Sequence, residues 1–298
     1  MGRYFIKDLE HLSGIKAHTL RIWEQRHGVV EPKRTDTNIR YYDDEDLKHI
    51  MNVAYLNRNG MKISRIAKMS RVEIQEAVKS LGETNLEFPN QVQMLILAMV
   101  HLDEDRFEKI LATNTLQFGF ERTMMEIVYP FLGEIGILWQ TGSINPAHEH
   151  FVSSLIRQKV VVAIDGQVKH FTPATKTFIL FLPEGEMHEI SLLFAAYLLR
   201  SRGHRVIYLG PNLPLDNLPS ICEVHEPDYM MSIFTTYPGP EDVPQYLSDL
   251  EGYVGKVKLL ISGYQALLSK DSFPEHAQVF KTVAGFISYV DQLGISSN

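Results

Sequence analysis

Apolar side chains recur three and four positions apart through most of the first 170 residues, and short continuous apolar runs replace that rhythm afterwards. Ile6, Leu9 and Leu12 lie at helical spacing, and Gly14 follows as a turn residue. A second helical stretch runs from Lys16 to about His27, with Leu20 and Trp23 on one face. Trp23 is read as core. Two short helices joined by a glycine-containing turn read as helix-turn-helix. Glu31 to Tyr42 has a polar middle flanked by extended segments, the pattern of a two-stranded wing. Asp43-Asp44-Glu45-Asp46 then supplies a cap and an acidic first turn. Leu47, Ile50, Val53, Ala54 and Leu56 carry the helix that follows, Gly60 ends it, and Met61, Ile63, Ile66 and Ala67 begin another.

Ser80 to Asn90, with Gly82 and Pro89, reads as a linker. Four helical stretches come next: Val92–Leu102, Phe107–Leu116, Phe120–Trp139 with a kink expected at Pro130, and Ala147 to about Lys169, opened by Asn145-Pro146. Short connections between four helices suggest an antiparallel bundle. From about Lys176 strands and helices alternate. Thr177–Leu182, Arg205–Leu209, Tyr229–Phe234 and Lys258–Ile261 read as strands. Helices are expected at His188–Arg202, Leu218–Val224 and Val243–Leu250, and Phe280 to Leu293 reads as mostly helical. Alternating βα units imply a doubly wound parallel sheet of the flavodoxin-like kind. The chain is thus multidomain: an α winged helix-turn-helix at 1–79, a four-helix bundle at 89–172 and an α/β domain at 175–298.

The net charge of −7 argues against a nucleic-acid partner until its distribution is considered. Residues 1–71 hold 14 Lys and Arg against 9 Asp and Glu, so a local charge of +5 is joined to a remainder of −12. The second helix offers Lys16, His18, Thr19, Arg21 and Arg26 outward, side chains that bond phosphates and base edges. A single cysteine, Cys222, excludes an internal disulfide framework and any CxxC metal site. No signal-peptide core or membrane-length apolar run is present, so a cytoplasmic protein without a membrane partner is expected. No P-loop or autonomous catalytic constellation is visible, and no enzyme is expected.

Two spots carry candidate chemistry. Trp139 is followed after nine residues by Glu149 and His150 at the start of the next helix. The second spot, Glu184-Gly185-Glu186-Met187-His188, follows the first strand, at the sheet edge where doubly wound folds bind ligands. Each pattern alone is ordinary: an aromatic helix end is usually core, and a histidine at a helix start usually has no special task.

Spacing and order point further. Tyr4-Phe5-Ile6 with Leu9, then Thr19-Leu20-Arg21-Ile22-Trp23-Glu24, then Arg40-Tyr41-Tyr42, resembles the DNA-binding domain of the MerR family over residues 3–71. Glu186-x-His188-x-x-Ser191 resembles the Asp-x-His-x-x-Gly signature of cobalamin-binding domains, with Glu in the Asp place and Ser in the Gly place. Ser232-Ile233-Phe234 lies 41 residues after Ser191, where that family has a second serine motif, and Ser262-Gly263 stands where it has Gly-Gly. The Trp139…Glu149-His150 pattern is similar to the cap motif of the CarH/LitR group of light-sensing MerR-type regulators.

The resemblance implies roles residue by residue. Arg21 and Arg40 would be the main DNA contacts, with Lys16, His18, Thr19 and Tyr41 or Tyr42 assisting. His188 would be the lower axial ligand of cobalt, and Glu186 would fix its tautomer. Ser191 would lie close to the cofactor. Ser232, Ser262 and Gly263 would line the slot for the nucleotide tail. Trp139 and Glu149 would meet the adenosyl group, and His150 would be able to take the upper position after the cobalt–carbon bond breaks. The implied function is a DNA-binding regulator, a repressor by resemblance, whose oligomerisation (dimer or tetramer) and hold on a double-stranded operator are set by adenosylcobalamin and light. The alternative is a MerR-type regulator with a degenerate pocket, since Ser191 and Ser262 add a hydroxymethyl where the family has glycine. A corrinoid methyl carrier would have no use for a DNA-reading segment.

Overall fold

In the computed structural model residues 3–295 are described, except 36, 85–86, 141–143, 169–170, 256 and 270–272. Asp36 of the expected wing, Asn85 and Leu86 of the expected linker, and Lys169 at the expected end of the bundle lie outside the described residues. The chain divides into two compact units, Met1–Leu155 and Ile156–Asn298.

The first unit opens with α1 (Ile6–Ser13) and α2 (Ala17–His27). Gly14 and Gly28 end them in the left-handed conformation, at φ 67° and 62°, which glycine adopts without a Cβ clash. β1 (Lys33–Arg34) and β2 (Arg40–Tyr41) pair antiparallel as the wing. α3 (Asp44–Arg58) starts with a capping box in which the Asp43 side chain accepts from the Asp46 amide and Asp46 from the Asp43 amide. α4 (Ile63–Ile66) and α5 (Arg71–Thr84) follow. Leu9, Leu12, Leu20, Trp23, Leu47 and Ile50 are buried together with Tyr42. Trp23 is therefore core, as its position on the Leu20 face suggests.

α6 (Phe88–His101), α7 (Glu104–Phe118), α8 (Phe120–Thr123), α9 (Tyr129–Gln140) and α10 (Pro146–Asp165) make up the helical region. Two details depart from the sequence reading. The expected linker Ser80–Asn90 is mostly helix, because α5 continues to Thr84 and α6 starts at Phe88 with Pro89 in its first turn, where a missing N–H costs nothing. The kink expected at Pro130 is a single π turn, Met124–Val128, directly before it. Proline has no N–H to offer the carbonyl one turn back, and the helix absorbs the defect by widening there.

The second unit contains the parallel sheet. β3 (Thr177–Pro183), α11 (Ile190–Ser201), β4 (Arg205–Leu213), α12 (Leu218–His225), β5 (Tyr229–Ile233), α13 (Val243–Val254), β6 (Lys258–Ser262), α14 (Tyr264–Leu268), β7 (Ala277–Phe280) and α15 (Val283–Ile295) alternate in turn. The spatial order is β4-β3-β5-β6-β7, all parallel. This is the flavodoxin-like order, in which the chain reverses direction across the sheet between its first and third strands. β3, buried from Phe178 to Pro183, and β5, buried throughout, form its centre. β7, which the sequence reading did not include, ends at Phe280, where the stretch read as helical begins, and β4 runs past Gly210-Pro211 to Leu213. A four-residue edge strand is too short to show a period-two signal. Among the described residues no helix is long and apolar enough to cross a membrane.

Trp23, 6 % exposed, separates packing from recognition. Trp23→Ala is expected to cost about 3–5 kcal/mol in chemical denaturation. Arg21→Ala, at an exposed position on the same helix, is expected to stay within about 0.5 kcal/mol of the parent.

Candidate functional site

A doubly wound sheet opens its ligand crevice at the reversal point, beyond the carboxyl ends of the two central strands. Here those are β3 and β5. The loop after β3 carries Glu186 and His188, and the loop after β5 carries Thr235, Thr236 and Tyr237. The two loops are joined through a single carboxylate. Glu186 is fully buried, and its Oε2 accepts from the backbone N–H of Thr235 at 3.0 Å, Thr236 at 2.6 Å and Tyr237 at 3.1 Å. The Thr236 hydroxyl lies 3.1 Å from the same oxygen. Oε1 accepts from the His188 backbone N–H at 2.9 Å and faces His188 Nδ1 at 2.7 Å.

A buried carboxylate without donors would be neutralised or expelled. Burial pushes the Glu186 carboxyl up, but the bonds from His188, Thr236 and Tyr237 outweigh it and hold the group well below the usual range. The ionised acid accepts a proton-bearing Nδ1 from His188, which makes Nε2 the lone-pair nitrogen of that imidazole. The ring itself is more than half exposed. Fixed tautomer, accessible ring and carboxylate behind it form the arrangement of a metal-ligating histidine.

On the neighbouring strands, Ser232 pairs with Ile261 and Ile233 with Ser262. Ser232 Oγ is buried and has no hydrogen-bond partner among the described residues. Gly263, at φ 106°, lies so close to the preceding loop that a Cβ would sit 2.3 Å from the Phe234 carbonyl oxygen. Ser262 Oγ donates to the Phe280 carbonyl at 3.0 Å and so closes β6 onto β7. Ser191 is half-buried in the first turn of α11. Glu186, His188, Ser232, Ser262 and Gly263 are thus gathered at one edge of the sheet.

Sequence reasoning missed the backbone donors of Thr235, Thr236 and Tyr237, because main-chain groups leave no side-chain signature. It also missed Glu189, next to the site histidine. Glu189 Oε1 takes Arg157 Nε at 2.5 Å and its Oε2 takes the Tyr208 hydroxyl at 2.7 Å, which ties the last turns of α10 to the loop after β3. The Glu186-x-His188-Glu189 run was the available signal.

In the first unit Trp139 is half exposed at the end of α9, and Glu149 and His150 are in the first turn of α10, with His150 Nε2 3.9 Å from Glu149 Oε2. In the helix-turn-helix, Lys16, His18 and Arg21 are exposed and Thr19 is half-buried. Lys16 Nζ bonds Glu10 at 3.0 Å. Arg40 approaches Glu24 at 3.5 Å, and Tyr41 has the Arg3 guanidinium over its ring at 5.2 Å. Tyr42 departs from the expectation of a DNA contact. It is 1 % exposed and its hydroxyl donates to Glu24. Its paired backbone bonds with Tyr4 turn the ring into the core. Glu24 therefore fastens the wing to α2 through Arg40 and Tyr42.

Comparison with known proteins agrees with this geometry. Residues 4–72 match the MerR HTH family regulatory protein model, and residues 91–163 match the B12 binding domain model. Over 65 % of its length the chain shares the fold of the monomethylamine corrinoid protein of Methanosarcina barkeri, at a TM-score of 0.51 and 17 % identity, covering 93 % of that chain. The chain thus carries a MerR-type helix-turn-helix domain and a B12-binding domain, a combination that supports a DNA-binding transcription regulator. Along most of its length it is homologous to two regulators of Myxococcus xanthus. It is 28 % identical to the HTH-type transcriptional repressor CarH over 76 % of this chain and 77 % of CarH. It is 27 % identical to the repressor CarA over 82 % of this chain and 81 % of CarA.

The clamp on Glu186 has a pH signature. A folded-state carboxyl that titrates below its ordinary value near 4.5 contributes its full stability above that value and loses it as pH falls toward the folded pKa. Glu186→Gln, which faces backbone donors with an amide, is expected to cost about 2 kcal/mol at pH 7. The gap between variant and parent should narrow below pH ~4 in denaturant titrations; a gap independent of pH would contradict the assignment.

Proposed function

We propose that this protein is a repressor whose oligomerisation and hold on a double-stranded DNA operator are controlled by adenosylcobalamin and light. The observation that carries the reading is His188, exposed on one side and held on the other by a buried, ionised Glu186. The orphaned Ser232 hydroxyl and the glycine-only contact of Gly263 with Phe234 fit the walls of a slot for a nucleotide tail. The homology to CarH and CarA supports the repressor assignment.

In this reading His188 Nε2 would hold the cobalt, and Glu186 would keep the proton on Nδ1 so that the ligating nitrogen stays basic. Ser232, Ser262 and Gly263 line the tail slot, and Ser191 lies beside the corrin. Trp139 would cover the bound group and exclude water, Glu149 would bond its adenosyl portion, and His150 would be available as a further ligand. When bound, the cofactor supplies a light-cleavable cobalt–carbon bond. The functional division is 1–79 for DNA, 89–172 for the cap and 175–298 for the cofactor, in a cytoplasmic dimer or tetramer. One helix-turn-helix reads one half-site, so joining arms on a pseudo-palindrome multiplies affinity. Arg21 and Arg40, with Lys16, His18, Thr19 and Tyr41, grip the operator. A ligand switches such a system only through unequal affinity for two states, and the adenosyl group provides that inequality.

A second reading is favoured by the bulk of Phe234, fully buried in the core next to Ser232, and by the engagement of Ser262 with Phe280. It is a MerR-type regulator with a closed pocket that acts without cobalamin or senses another ligand. Titration with adenosylcobalamin, followed by absorbance in the dark and after green light, separates the two. The first predicts saturable binding at micromolar concentration, loss of at least about tenfold affinity in His188→Ala, and a fall in operator binding on illumination. Absence of binding, or identical DNA affinity and oligomeric state in dark and light, supports the second.

A further inference from the structure

The first unit holds a cleft that the cobalamin reading does not use. It is formed where α3 and α5 face α6 and α7, with a volume of about 1050 Å³, a size at which small-molecule sites are found. Lys48, Arg71, Lys79, Arg106 and Lys109 line it, against Glu45, Asp103 and Asp105. Two of those acids already have tasks. Glu45 accepts from Lys48 at 3.0 Å, and Asp103 caps α7 through the Arg106 backbone N–H at 3.0 Å. Met94 and Ile110 add apolar surface.

Arg106 is the informative member. Its side chain is half-buried, and among the described residues its guanidinium meets one acceptor, the Met94 sulfur at 3.4 Å. A thioether is a weak acceptor for a fork with five N–H donors. Burial weighs against the Arg106 charge, and Asp103 only partly supports it. A guanidinium kept in such a place gains most from an oxyanion presented to its planar edge. His101 shares the cleft, where burial pushes it down to about 4, so it stays neutral at pH 7 and adds a hydrogen-bonding ring rather than charge.

We propose that this cleft is a second ligand site, for a small molecule bearing a phosphate or carboxylate beside an apolar portion, anchored by Arg106. All of its lining belongs to the first unit, so the proposal does not depend on the cobalamin reading. An occupant would tie α3 and α5, next to the DNA-reading helices, to α6 and α7, and so restrain the DNA-binding arm.

The test uses phenyl phosphate titrated into the full-length protein without DNA or cobalamin, followed by calorimetry and melting temperature. Saturable binding is expected, tighter than that of inorganic phosphate and about tenfold weaker in Arg106→Gln. If Arg106→Gln does not fold, the double variant Arg71→Gln, Lys79→Gln, at exposed positions, carries the same expectation at smaller size. No saturable binding at millimolar concentration overturns the proposal. So does equal affinity in parent and variants, or an equal response to sodium chloride at matched ionic strength.

Discussion

A single buried charge organises the second unit. The Glu186 carboxylate is fully buried, and an unpaired charge in that position would cost several kcal/mol. Its stability depends on three consecutive backbone N–H groups from the loop after β5 and on the His188 residue of its own loop. Those donors converge only because β3 and β5 are neighbours at the reversal point of the sheet. The topology thus makes the charge tolerable, and the charge in turn locks both loops and the histidine ring. Pre-paid orientation of this kind lets one imidazole act as a ligand without ordering cost at the moment of binding.

The first unit uses a comparable device on a smaller scale. Glu24 on α2 takes the Tyr42 hydroxyl and the Arg40 guanidinium, and so fastens the wing to α2. Recognition of a half-site needs that fixed spacing. The local charge of +5 supplies attraction to a polyanion that is sensitive to salt and indifferent to sequence. Within the same unit α5 and α6 follow one another closely in the chain, and the cleft beside Arg106 is lined from α3, α5, α6 and α7.

Much of this was legible in the chain. Helical spacing placed Leu9, Leu20 and Trp23 in one core, and alternation after Lys176 gave the parallel sheet. The separation of Glu186, His188, Ser232 and Gly263 matched a known pattern, and the fold gathers them at one edge. Other features had no sequence signal. The donors of Thr235 to Tyr237 belong to the backbone, whose direction is set by tertiary structure. Phe88-Pro89 looks like a linker and starts a helix, since proline breaks helices only beyond their first turn. Tyr42 follows Tyr41 in a wing, and only the bridge to Tyr4 decides which of the two turns inward. Arg106 reads as one cation on an amphipathic helix until α3 and α6 are packed around it.

The central claim is that Glu186 presets His188 to ligate cobalt through Nε2. The most direct measurement is the electron paramagnetic resonance spectrum of cob(II)alamin bound to the full-length protein with natural and with 15N-labelled histidine. The claim predicts that the axial nitrogen splitting changes from a triplet to a doublet on labelling, because the coupled nucleus belongs to the protein. An unchanged triplet, from the cofactor's own benzimidazole nitrogen, would contradict it.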